Sequence, residues 1–221
     1  MRTPPCLETA RLRLRPRRRE DIDALVQMDL DPEVYRYSEM RSSVPTNNPD
    51  RATLRKRVRS QILSGTPRDT WVVEWKDQPG LLGLAGLAPL GEDGTNLLGF
   101  RFVRSAWGQG IATEAARVIL DHGFRVLKCP TVIAFSHTEN GGSSRVLDKI
   151  GMERDRMVVL QQNSLLNAPQ SRASARTSDY LNMKGSLGSR FICYRLERGT
   201  YLNRVDPPTA SPAQPDFRFD R

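Results

Sequence analysis

Trp107-Gly108-Gln109-Gly110 stands between a β-rich run that ends near Val103 and a helical stripe that begins at Ile111. Two glycines one residue apart at a strand-to-helix junction allow a sharp turn. They also let a ligand approach main-chain N–H groups that have no partner within the helix. Ile111, Ala115, Val118, Ile119 and His122 share one stripe, which predicts a helix over 111–127, and Thr131–Ser136 returns as a strand. A strand, helix, strand unit of this kind sets its two strands parallel. The preceding segment has a different texture: Thr70–Trp75, Leu81–Leu90 and Asn96–Val103 are β-rich runs separated by Asp77-Gln78-Pro79-Gly80 and Gly91-Glu92-Asp93-Gly94. Such tetrapeptides join antiparallel strands. The fold must therefore be a mixed sheet in which one parallel pair follows a meander.

The flanks extend this pattern. Leu7, Ala10, Leu12 and Leu14 alternate with polar residues in a first strand that stops at Pro16. Asp21 is placed to cap a helix carrying Ile22, Leu25, Val26 and Met28, and a short helix starts at Asp31 with Pro32 in its first position. Residues 48–64 read as a basic helix with Leu54, Val58 and Ile62 on one stripe, and Asn140–Ile150 as an amphipathic helix ended by Gly151. Met157–Leu160 and Phe191–Leu196 are the last strands. Between them, residues 161–189 form a polar insertion that is either functional or mobile. The last 17 residues, 205–221, hold four prolines and are expected to be disordered. One domain over 1–204 accounts for the length.

No apolar run is long enough to span a membrane, and arginines without an apolar stretch open the chain, which predicts a cytoplasmic protein that engages no membrane. Cys6, Cys129 and Cys193 are too scattered for a disulfide framework or a metal site, so each is expected to be a small buried hydrophobe. With only His122 and His137 available, no metal is expected. The net charge of +9 is segregated: residues 1–20 sum to +5, 51–60 to +5 and 161–204 to +5, whereas 21–50 sum to −5. Basic faces suit an anionic ligand. Nucleic acid is the rival reading, yet no homeodomain, zinc-finger, RRM or KH pattern accompanies the charge.

A glycine loop before a helix binds anions, typically phosphates. A P-loop reading fails for want of a lysine. A Rossmann fingerprint competes, but Thr113 occupies its third glycine position and Glu139 lies about 30 residues on, where about 20 is usual. The segment W-G-Q-G-I-A-T-E-A at 107–115, with N-G-G-S-S-R-V-L-D-K-I-G-M at 140–152, resembles the GNAT superfamily of acetyl-CoA-dependent N-acetyltransferases. It is most similar to the branch of the ribosomal-protein-alanine N-acetyltransferases, and the opening L-x-T-x-R-L-x-L-R-P agrees.

The resemblance implies an α/β (α+β) GNAT fold: a mixed, mostly antiparallel central sheet, flanked by helices, whose fourth and fifth strands splay to admit pantetheine. It assigns the pantetheine contacts on the fourth strand to the backbone of Arg101, Phe102 and Val103. The diphosphate falls to the amides of Gly108, Gln109, Gly110, Ile111, Ala112 and Thr113. Asn140 and Ser143 match positions beside the pantetheine arm and the sulfur. The implied reaction moves an acetyl group to a primary amine, by direct attack in a ternary complex of a monomer or homodimer. The acceptor is a protein N-terminus or a small-molecule amine.

That chemistry needs a neutral amine, a stabilised oxyanion and a proton for the departing thiolate. Many relatives supply a glutamate base and a tyrosine acid. Here Leu97 and Phe135 hold the base positions and Leu147 the tyrosine position, so a non-catalytic acyl-CoA-binding or regulatory module is the alternative. Two catalytic candidates stand. Ser143 is a hydroxyl near the sulfur or only a first-turn polar residue. His137 is a base or a strand-end histidine facing solvent. His122 is read as a core histidine and Glu114 as a first-turn carboxylate that stabilises its helix. The acids of 21–50 suit a cationic acceptor, or are solvated helix faces.

Overall fold

A computed structural model describes residues 3–37, 50–63, 69–90, 92–160 and 189–207. The alternating N-terminal segment forms two strands, β1 (Leu7–Glu8) and β2 (Leu12–Pro16), paired antiparallel across a tight hairpin. The single strand expected over 7–16 is thus folded back on itself, because the turn at Thr9–Arg11 breaks the alternation. Next come α1 (Ile22–Leu30), α2 (Pro32–Tyr35) and α3 (Arg51–Leu63). The meander is β3 (Asp69–Trp75), β4 (Gly83–Pro89) and β5 (Asn96–Phe102). The glycine loop leads into α4 (Ile111–Asp121), a π-helical turn over His122–Val126, β6 (Thr131–His137) and α5 (Gly141–Lys149). β7 (Glu153–Leu160), β8 (Ser189–Glu197) and α6 (Arg198–Val205) complete the described chain. α6 is not among the elements expected from the sequence, and none of its residues is fully buried. Val205 still belongs to it, and the expected disordered tail beyond residue 207 lies outside the described residues, as do 161–188 of the polar insertion.

The eight strands lie in the order β1-β2-β3-β4-β5-β6-β8-β7, and β5–β6 is the one parallel pair among the described residues. Along β5, all seven residues pair with β4, whereas only Asn96 and Leu97 pair with β6, at Val132 and Ile133. Beyond Leu97 the two strands diverge, so the sheet opens toward their C-terminal ends. β6 is held on its other side by β8 along its full length. This is the GNAT fold, with the splay at the two strands that the family resemblance implies.

Side-chain alternation sorts the sheet into two faces. Leu12, Leu14, Trp71, Val73, Ala85, Leu87, Leu98, Val132 and Ala134 pack against Ile111, Ala115, Ile119 and Leu120 of α4 and Leu147 of α5. His122 lies in this core beside the Trp71 ring, as expected for a core histidine. On the opposite face Leu25, Val26 and Met28 of α1 meet Leu54 and Val58 of α3. A third cluster joins Ala88, Leu97, Ile133 and Cys193, with Phe135 against it. Cys129 and Cys193 are buried, but Cys6 is exposed, since it precedes the first strand where nothing packs over it. That corrects the expectation of three buried thiols.

The segregated charges meet in three dimensions. Asp23 pairs with Arg55, and Asp29 is enclosed between Arg57 of α3 and Arg101 of β5. The Asp21 carboxylate does not cap α1. It accepts from Arg18 N–H and receives both terminal nitrogens of the partly buried Arg15, whose Nε is 2.9 Å from Glu74. Asp31 caps α2 through Glu33 N–H. Of the described acids of 21–50, Asp21 and Asp29 are buried against arginines, whereas Asp23, Glu33 and Asp50 are exposed at their helices.

Candidate active site

β5 and β6 run parallel, so α4 and α5, which follow them, both begin at the end where the strands part. Crevices at the C-terminal ends of diverging strands are the usual ligand positions of such sheets. α4 and α5 are tied by Arg117, which donates to the Lys149 carbonyl at 3.1 Å.

The glycine loop is shaped by backbone conformation. Gly108 (φ 74°) and Gly110 (φ 77°) occupy the left-handed region, which other residues enter only at a cost of about 1–2 kcal/mol. A Cβ on Gly108 would meet nothing within 4 Å, so φ is what requires the glycine there. Trp107 N–H closes the preceding turn on the Arg104 carbonyl, and the first helical bond of α4 is Glu114 N–H to the Gly110 carbonyl at 3.0 Å. The amides of Gly108, Gln109, Gly110, Ile111, Ala112 and Thr113 fall between these two bonds, where helix geometry gives them no acceptor. The Gln109 side chain folds back onto the Ser105 carbonyl at 2.5 Å. Trp107, half-exposed, donates from Nε1 to the Phe102 carbonyl at 2.8 Å and pins the loop to the end of β5.

The β4–β5 register decides which main-chain groups of β5 face the splay. Val103 N–H donates to the Leu82 carbonyl and Leu90 N–H to the Thr95 carbonyl, so alternation turns the peptide groups of Arg101 and Val103 toward β4. Those of Phe100 and Phe102 turn toward the gap. Of the expected trio Arg101, Phe102 and Val103, Phe102 alone presents its backbone there, and Phe100 was missed because parity follows from pairing, which periodicity does not reveal. The Arg101 side chain is engaged with Asp29 at 2.9 Å on the α1 face. Gly99, which precedes Phe100 on β5, is exposed.

At the second helix, Asn140 caps α5: its Oδ1 accepts from Ser143 N–H at 3.0 Å. Ser143 is partly buried in the first turn. Buried Ser136 and Ser144, 3.1 Å apart through their hydroxyls, join the end of β6 to α5, a link that sequence reading missed. His137 sits at the end of β6 with its ring stacked on Tyr37 and edge-on to Phe191. Its Nδ1 accepts from Glu139 N–H at 3.2 Å, which leaves the proton of the neutral ring on Nε2. Leu97 and Phe135, at the positions of the usual base, belong to the third apolar cluster.

The acetyltransferase (GNAT) domain family matches residues 11–153, about two thirds of the 221. The chain belongs to that family. Among relatives of this GNAT domain, YkkB of Bacillus subtilis is 34% identical over 40% of the chain and 52% of its own length. The uncharacterized N-acetyltransferase p20 of Bacillus licheniformis is 29% identical over 67% of the chain and 83% of its own length. Among solved structures, a GNAT-family acetyltransferase from Bacillus anthracis superposes with a TM-score of 0.67 at 20% identity, covering 88% of this chain and 99% of that one. The spermidine N-acetyltransferase of Vibrio cholerae, solved with CoA and spermine, gives 0.65 at 15% identity over 88% and 100%. Family and fold make this GNAT domain an N-acetyltransferase. No helix among its described residues is long and apolar enough to cross a membrane.

Proposed function

We propose that this GNAT domain moves the acetyl group of acetyl-CoA to a primary amine by direct attack in a ternary complex. The observation that carries the reading is the run of amides from Gly108 to Thr113, which precedes the first α4 bond at the same end of the sheet as the β5–β6 gap. These amides suit a diphosphate. The gap-facing N–H groups of Phe100 and Phe102 suit the pantetheine arm and the oxyanion, the Phe102 carbonyl being held by Trp107 Nε1. The amine nitrogen forms the new C–N bond while the C–S bond breaks. One proton leaves the nitrogen and one reaches the sulfur. Ser143 is the hydroxyl we assign to the sulfur, with Asn140 fixing its helix turn. His137, with Nδ1 already accepting, we assign to the acceptor end as an Nε2–H donor, a third role beside the base and the solvent-facing histidine weighed in the sequence, and solvent takes the amine proton.

A primary amine is itself a cation in neutral water, and a structural neighbour was solved with spermine. A cationic amine is therefore the acceptor class we infer. It is either a protein N-terminus, as in the ribosomal-protein-alanine branch, or a small polyamine-like molecule. The three free cysteines agree with a reducing cytoplasm, and a monomer or homodimer suffices. The apolar Leu97 and Phe135 favour the second reading, a non-catalytic acyl-CoA-binding module. Calorimetry with acetyl-CoA on the wild type and on Gly110→Asp tests the site, and a screen of N-terminal peptides and polyamines tests turnover. Binding lost in the variant supports the loop assignment. Binding without turnover on any amine favours the second reading, and no wild-type binding refutes both.

A further inference from the structure

Thr9 and Arg11 belong to the turn of the β1–β2 hairpin, and Glu114 to the first turn of α4, yet the three form one cluster. Thr9 Oγ1 donates to Glu114 Oε1 at 2.5 Å, and Arg11 N–H reaches the same oxygen at 3.2 Å. Arg11 Nε donates to Glu114 Oε2 at 2.8 Å, with Nη2 2.6 Å from that oxygen. Nη2 also donates to the Gln109 carbonyl at 3.2 Å, inside the glycine loop. A Cβ placed on Gly110 would lie 3.7 Å from the same nitrogen. The Trp75 ring backs the guanidinium at 5.7 Å.

The cluster answers an electrostatic problem. A carboxylate in the first turn favours the helix itself, but it opposes any second anion bound at that end. Here Glu114 is matched by a guanidinium that is held in place by two of its own nitrogens and the ring behind it. Because the peptide plane is rigid and trans, fixing the Gln109 carbonyl aims the Gly110 N–H to the opposite side.

We infer that Thr9, Arg11 and Glu114 are positioning residues for the diphosphate loop: Arg11 cancels the Glu114 charge and sets the Gln109–Gly110 peptide, while Thr9 and Glu114 hold Arg11. This rests on the reading of the loop as the diphosphate site. It goes beyond that reading by giving the N-terminal T-x-R hairpin a part in cofactor affinity.

The test is CoA binding by calorimetry to the full chain, beside pantetheine, which carries the thiol arm without the diphosphate. Arg11→Met is expected to weaken CoA about two- to fivefold, the value of one uncompensated charge at a partly exposed helix N-terminus, and to leave pantetheine unchanged. Arg11→Met combined with Glu114→Gln should regain part of the loss, since the uncompensated carboxylate is gone. Thr9→Val should weaken CoA by less. Equal losses on CoA and pantetheine, or a double variant no better than Arg11→Met, would overturn the inference and make the cluster a structural tie. Wild-type protein that binds CoA no better than pantetheine would instead overturn the diphosphate-loop reading, and this inference with it.

Discussion

Asp29→Asn measures how much of the charge pattern is structural. The Asp29 side chain is 0% exposed, with Oδ2 3.1 Å from Arg57 Nη2 and Oδ1 2.9 Å from Arg101 Nη2. Two charge-assisted contacts at about 1.5–3 kcal/mol each give about 3–6 kcal/mol. Asparagine keeps one acceptor and sets an NH2 group against the other guanidinium, so about half of that is lost. The expected destabilisation is about 1.5–3 kcal/mol, reaching at its upper end the low end for removing one partner of a buried pair. For a chain of this size it corresponds to a Tm lower by about 3–12 °C. Urea unfolding followed by tryptophan fluorescence should show a lower midpoint with an unchanged slope. A loss below about 1 kcal/mol, the range of screened surface pairs, would refute the reasoning. So would unchanged stability with an altered charge preference for the acceptor, which would place Asp29 in the acceptor cleft.

Cys6 should be the single thiol that reacts rapidly with a chromogenic disulfide reagent at pH 8. Burial pushes the thiols of Cys129 and Cys193 up and withholds them until urea is added, and rapid native reaction of all three would contradict this burial. His137→Ala should lower turnover and leave the pH dependence of kcat/KM in place, as befits a donor. Loss of the acid limb would restore His137 as the base. Despite its partial burial, the Thr9 and Arg11 contacts hold the Glu114 carboxyl below its ordinary range. Its stabilising contribution is therefore complete above about pH 4.3, the unfolded value, and is lost as pH falls through the lower folded value. The stability difference between wild type and Glu114→Gln should accordingly shrink with acidification below about pH 5. A difference that stays flat to pH 3 would show that the cluster contributes nothing through charge.

What the sequence determined by itself is local. Glycines 108 and 110 dictated a left-handed turn, periodicities of two and 3.6 named the strands and helices around it, and Asp31 and Asn140 marked helix starts, since each of these depends on neighbours within a few residues. The tertiary structure decided what depends on partners far along the chain. A run of alternating leucines does not say that it turns back at Thr9, and parity along β5 is fixed only when Leu82 accepts from Val103. Nor could the charge tally tell which arginine meets which acid. Asp29 finds Arg57 and Arg101, and Glu114 finds Arg11, because long, flexible cationic side chains are paired by packed elements and not by sequence spacing. β8 enters between β6 and β7, so β6 is held on one side along its full length while β5 releases it on the other. That unequal pairing, a property of the whole sheet, is what opens the gap beside the glycine loop.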